Sequence, residues 1–139
     1  MKRFVCGAIA LVTFSAGHVM AACAPPFMTA AQIQTLLAGN TACVGHTPTA
    51  EWSEWHSGAA TGSVVDWKLG PTNSVDPTKT VGTYTIASSI TAGTVTYNYT
   101  GGGTYAYYVE QGSASPYTFC NTSGSPIISV TVNSGQGPC

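Results

Sequence analysis

The chain has 139 residues, of which 44% are hydrophobic and only 6% charged, with a formal net charge of −1. So few basic groups cannot neutralise a row of phosphates, which excludes nucleic-acid binding and electrostatic docking on anionic lipid as functions. The hydrophobic share and the seven tyrosines exclude a disordered chain, and the length fits one domain.

The chain opens with an export signal over residues 1–22. Lys2 and Arg3 supply the positive start, Phe4 to Ala16 an apolar run too short to span a bilayer, and Met20-Ala21-Ala22 the small residues before a cleavage point. Cleavage leaves about 117 residues beginning near Cys23, with Lys68 and Lys79 as the basic groups against Glu51, Glu54, Asp66, Asp76 and Glu110. The remaining cysteines, Cys23, Cys43, Cys120 and Cys139, are even in number, which in an exported chain predicts two disulfides and a periplasmic or secreted address. Small residues before Cys23 also fit a lipoprotein signal, so a lipid anchor at Cys23 is the competing reading to a freely exported protein.

Thr29-Ala30-Ala31-Gln32 fits a capping box, with Met28 and Ile33 placed for a hydrophobic staple. Ile33, Leu36 and Leu37 fall on one face and Gly39 can end the element left-handed, so the spacing predicts a short amphipathic helix over 30–38 that must pack against something.

Beyond Gly39 the apolar period changes from 3.6 to 2. Strands are predicted at about 41–46, 51–57, 63–69, 81–87, 93–100, 104–110, 116–121 and 126–132. The later ones alternate most clearly. Val95, Tyr97 and Tyr99 interleave with Thr and Asn, Gly101-Gly102-Gly103 makes a reversal, and Tyr105, Tyr107 and Val109 resume the pattern. Ile128, Val130 and Val132 form the last apolar face. Turn signals at His46–Thr49, Gly58–Gly62, Gly70–Asp76, Gly112–Pro116 and Ser123–Pro126 separate the strands, with Asp76 placed to cap its own turn.

Short strands at this spacing without intervening helices make an all-β antiparallel meander. Left open, it would expose two bare edges, so closure into a small, about eight-stranded barrel or curved sheet is predicted, with one N-terminal helix. A Cys43–Cys120 bond would tie the first strand to the seventh and Cys23–Cys139 would pin the termini. The other pairings remain open at this stage.

The densest chemical group is Glu51-Trp52-Ser53-Glu54-Trp55-His56. On a strand, Trp52, Glu54 and His56 share one face and Glu51, Ser53 and Trp55 the other. A carboxylate two residues from an imidazole could serve as a general acid/base pair, or as two metal ligands with His46 or Asp66 as a third. No HExxH, CxxC or G-x-S-x-G accompanies it, no phosphate loop is present, and neither a catalytic residue, a metal nor a cofactor is assigned. Trp52, Glu54 and His56 are therefore candidate binding residues. The tyrosines, with Trp55, Trp67 and Phe119, suit either a barrel core or the wall of a pocket for a small apolar or sugar-like ligand.

Leu37-Ala38-Gly39-Asn40-Thr41 with Cys43-Val44, Trp52-x-Glu54-x-His56, Val81-Gly82-Thr83-Tyr84, Tyr97-x-Tyr99, Tyr105-x-Tyr107 and Phe119-Cys120 resembles a group of small exported proteobacterial proteins of uncharacterised function. Their motif order looks like a calycin-type barrel, the architecture of lipocalins and avidins. The resemblance implies a fold and an address and transfers no catalytic residue. The leading functional expectation is a binding module for a small molecule or an envelope component. The alternatives are a hydrolase using Glu54 and His56, and a structural or adhesive surface protein with Thr- and Ser-rich faces.

Overall fold

The computed structural model describes residues 23–45, 51–68, 70, 72–75, 79–112, 115–123 and 127–139. Residues 1–22, over which an export signal is expected, His46 and the Asp76-Pro77-Thr78 segment lie outside the described residues.

Among the described residues one helix, α1 (Ala30–Leu37), precedes eight strands: β1 (Thr41–Val44), β2 (Trp52–His56), β3 (Thr61–Lys68), β4 (Lys79–Ser88), β5 (Gly93–Tyr99), β6 (Thr104–Val109), β7 (Tyr117–Asn121) and β8 (Ile127–Asn133). Each strand pairs antiparallel with the next, and β8 returns to β1 through Thr41↔Asn133, Ala42↔Val132, Cys43↔Thr131 and Val44↔Val130, so the meander closes into a barrel. Closure gives every strand two hydrogen-bonded neighbours and leaves no free edge. The outer face of the longest strands is made wettable by hydroxyls and amides rather than charge, with Thr83 set against Asn98 and Thr85 against Thr96.

The period-2 alternation places Val64, Tyr84, Ile86, Val95, Tyr97, Tyr107, Val109, Phe119 and Val130 in one buried cluster inside the barrel. The helix closes one end of it. Its capping box forms as the sequence predicts, with the Thr29 side chain and the Gln32 side chain each accepting from the other's backbone N–H. Ile33 and Leu37 are wholly buried in the cluster. Gly39, at φ 74°, turns the chain out of the helix, and its N–H donates to the His56 carbonyl at 2.8 Å, locking the helix exit onto the end of β2. At Gly93 a Cβ would lie 2.4 Å from the Ala30 nitrogen, so the close seat of the helix on β5 requires glycine there.

The disulfides join Cys23 to Cys120 and Cys43 to Cys139, each with 5.9 Å between Cα atoms, which corrects the expected Cys43–Cys120 and Cys23–Cys139 pairs. The reason is the closure itself. β8 lies between β1 and β7, and two strand spacings of about 4.8 Å exceed the reach of about 7 Å that a disulfide allows between Cα atoms. Each strand cysteine instead points outward and is met by a terminal segment. The N-terminal segment runs along β6 and β7, where Phe27 stacks on Tyr108 at 4.9 Å and Met28 N–H donates to the Val109 carbonyl. The C-terminal segment folds back over β1 and β2, where the Thr41 hydroxyl donates to the Gly135 carbonyl and Cys139 N–H to the Ser53 hydroxyl. This covering buries Thr41, Cys43 and Ser53 on the outer side while Ala42 is buried on the inner side, so β1 has no wet face.

Candidate functional site: an aromatic chamber at the open end of the barrel

The end opposite the helix is open. A cavity of about 660 Å³ descends into it, lined mainly by Ala42, Val44, Val81, Phe119, Ile128 and Val130, by Tyr97, Tyr99, Tyr105 and Tyr107, and by Trp52 and Glu54. This volume falls in the range of about 300–1,000 Å³ usual for small-molecule sites. The rim is apolar and partly wet, with Trp52 38% and Tyr105 43% exposed.

Strand β2 supplies the polar groups. Its alternation aims Trp52, Glu54 and His56 inward at three depths. Trp52 is at the rim and Glu54 at the chamber wall. His56 is wholly buried below, packed edge-on against Tyr84 and Tyr97 with ring centroids at 5.0 and 5.6 Å. A register shift between Ser53 and Glu54 breaks the β2–β3 ladder at the level of the acid, and from there Glu54 pairs with Asp66 and His56 with Val64.

The tyrosines form a continuous inner wall because β5 and β6 are neighbours and each carries aromatics at every second position. Tyr97 and Tyr99 stack at 6.0 Å, Tyr99 meets Tyr105 edge-on at 6.0 Å, Tyr97 meets Tyr107 at 6.1 Å, and Tyr107 tilts against Phe119 at 6.2 Å. Two of their hydroxyls are already committed. The Tyr99 hydroxyl donates to Glu54 Oε2 at 2.8 Å, and the Tyr97 hydroxyl pairs with His56 Nε2 at 2.9 Å.

Burial drives the two titratable groups of β2 in opposite directions. The Glu54 carboxyl is raised to about 7 by its removal from water, against the Tyr99 hydrogen bond that lowers it, with the Asp66 charge adding to the rise. The His56 imidazole is lowered to about 4 by burial, against the backbone of Asn40 and Glu54, so it is neutral at ordinary pH. His56 Nδ1 has no hydrogen-bond partner. The hydroxyls of Tyr97 and Tyr99 are pushed upward by burial and then by the Glu54 charge, and stay protonated.

The sequence-predicted trio thus shares one face and one barrel interior, but the acid/base pair weighed for it does not assemble: Glu54 and His56 are each engaged by a different tyrosine. Glu54, His56 and Asp66 do not form a close ligand group, and His46 lies outside the described residues. Among the described residues the only close group of three metal-type ligand atoms is Cys23, Glu110 and Cys120, whose two sulfurs are joined in a disulfide. Asp66 is buried opposite Glu54 on β3, and its Oδ1 accepts the Lys68 N–H at 2.8 Å. What the residue pattern alone does not reveal is the contribution of Ala42 and Val44. Their place in the chamber depends on β1 closing against β8, and nothing local in a four-residue strand signals that.

No protein-family model, curated protein or solved structure matches the chain. The likeness that stands is one of architecture, a closed eight-stranded antiparallel barrel like that of the calycins.

Proposed function

We propose that this chain is an exported binding protein that takes a small, largely apolar molecule into the open end of its barrel, with Trp52 at the entrance and Glu54 as the polar contact. The observation that carries this reading is the open chamber of about 660 Å³ with aliphatic and tyrosine walls and a single carboxyl set into them. A barrel that served only as a scaffold would fill its interior with side chains at both ends, as this one does at the helix end. His56 supports the site from beneath through Tyr97 and is a positioning residue. Two disulfides support passage through an oxidising compartment, and the bond from Cys23 to Cys120 supports the unlipidated form, since that sulfur is already bonded. The resemblance to small exported proteobacterial proteins points to the same address.

The test is a titration with N-phenyl-1-naphthylamine, a neutral apolar fluorophore, followed by its emission and by quenching of tryptophan. The expected result is saturable one-to-one binding that is weakened in Val44→Phe, which narrows the chamber, and kept unchanged in Thr85→Ala on the outer wall. If the fluorophore binds both variants equally, or binds without saturation, the chamber is not the site. If Glu54→Ala and His56→Ala keep every ligand response of the parent in a thermal-shift screen, the contact assignment fails.

A further inference from the structure

We propose that the chamber is selective for organic cations, taking an ammonium group joined to an apolar body, with Glu54 and the surrounding tyrosine rings receiving the charge. The inference rests on the reading of the chamber as a ligand site and names the class of ligand.

Three observations carry it. First, the acid is placed among aromatic faces. Glu54 bonds to Tyr99, Tyr99 stacks on Tyr97 and meets Tyr105, and Tyr107 continues the wall. Ring faces carry negative quadrupole density, so a cation is attracted both to the carboxylate and to the rings around it, the more strongly where water is excluded. Second, the two tyrosine hydroxyls nearest the acid are already engaged. The Tyr99 hydroxyl is held by Glu54 and the Tyr97 hydroxyl by His56, so beside Glu54 these two residues offer a ligand their ring faces. Third, the charges around the acid favour a cation over an anion. Asp66 faces Glu54 from β3, and β4 brings Lys79, which is exposed at the mouth where its charge is screened by water. On its own strand His56 is neutral. The facing residues of β1, β7 and β8 at the chamber wall, Ala42, Phe119 and Val130, do not titrate, and burial holds the Tyr97, Tyr99 and Tyr107 hydroxyls protonated.

A carboxyl that its removal from water holds un-ionised until about pH 7 is one that a bound cation would complete. Binding therefore couples to loss of the Glu54 proton. That carboxyl is about one-tenth ionised at pH 6 and about nine-tenths at pH 8, so cation affinity falls about tenfold on acidification while a neutral ligand is unaffected.

The experiment compares three probes of one shape by isothermal titration: 2-phenylethylamine, 2-phenylethanol and 3-phenylpropanoate, at pH 8 and pH 6, with the parent chain and Glu54→Gln. Gln keeps the size of the side chain and an acceptor for Tyr99 while removing the charge. The expected result is an amine bound at least tenfold more tightly than the alcohol at pH 8, the carboxylate weakest, and the advantage of the amine reduced about tenfold at pH 6 and abolished in Glu54→Gln. Equal affinities for amine and alcohol, or a preference for the amine that survives Glu54→Gln, overturn cation selectivity and leave the chamber as a binding site. Failure of all three probes to bind the parent overturns both readings. Should Glu54→Gln not fold, the pH dependence of the amine relative to the alcohol in the parent decides: a constant ratio from pH 6 to pH 8 overturns the inference.

Discussion

Glu54 and His56 sit two residues apart on one strand and respond to the same burial in opposite senses, and this makes a prediction about stability. The folded state holds Glu54 preferentially neutral, so its contribution is present at low pH and is lost as pH rises from the model-peptide value of 4.5 to about 7. His56 is also held neutral, so its contribution is present above the ordinary value of 6.5 and is lost as pH falls to about 4. Between pH 4.5 and 6.5 the two slopes oppose, and the parent chain is expected to have nearly constant stability there. Glu54→Gln removes one slope. Denaturant unfolding should then show the stability of Glu54→Gln relative to the parent growing by about 3 kcal/mol between pH 4 and pH 8. A difference that does not change with pH would mean that Glu54 is solvated. Tyr97→Phe, which strips His56 Nε2 of its partner in a ring whose Nδ1 already lacks one, should cost about 1–3 kcal/mol by the same measurement.

Among the elements, the helix is the piece that turns a tube into a cup. Eight residues make a helix with little stability of its own, so it is held by Ile33 and Leu37 in the core and by the tight seat at Gly93. Leu37→Ala should cost about 2–5 kcal/mol. Gly93→Ala should lift the helix from β5, seen as faster amide exchange over residues 30–37 ahead of the barrel strands. Much of this level is legible in the sequence. The capping box and Gly39 define the helix, and Val95-x-Tyr97-x-Tyr99 and Tyr105-x-Tyr107-x-Val109 define β5 and β6, because each is a local pattern with a local cause. β1 and β2 are less legible. Thr41 and Ser53 are polar and occupy outward positions, yet both are buried, because a C-terminal segment more than 80 residues away covers them. Trp52, Glu54 and His56 are readable as one face from their spacing alone, but their separate engagement by Tyr99 and Tyr97 depends on which strand stands across the interior.

For the molecule as a whole, closure and cross-linking are separate devices. Hydrogen bonds between β1 and β8 close the barrel, and the disulfides fasten the two chain ends to its outside. The expected Cys43–Cys120 bond assigned closure to a covalent link across an edge that the closed sheet does not have. Each bond joins cysteines 97 or 96 residues apart, for which the chain-entropy account gives up to about 4–5 kcal/mol, the measured range running lower. The paired substitution Cys43→Ala with Cys139→Ala should therefore lower stability by about 2–5 kcal/mol, free the C-terminal segment and expose Ser53, while the barrel remains closed. Peptide mapping without reduction should recover the fragments containing Cys23 and Cys120 joined to each other, and likewise Cys43 and Cys139.

The central claim is that the barrel is hollow at the end away from its helix and admits a ligand there. Residue-resolved amide shifts on titration with N-phenyl-1-naphthylamine test it most directly. The account predicts shifts concentrated on Val44, Glu54, Tyr97, Tyr99, Tyr105 and Ile128, with Thr85 and the helix residues unmoved. Shifts confined to the outer wall, or none at saturating probe, would contradict it.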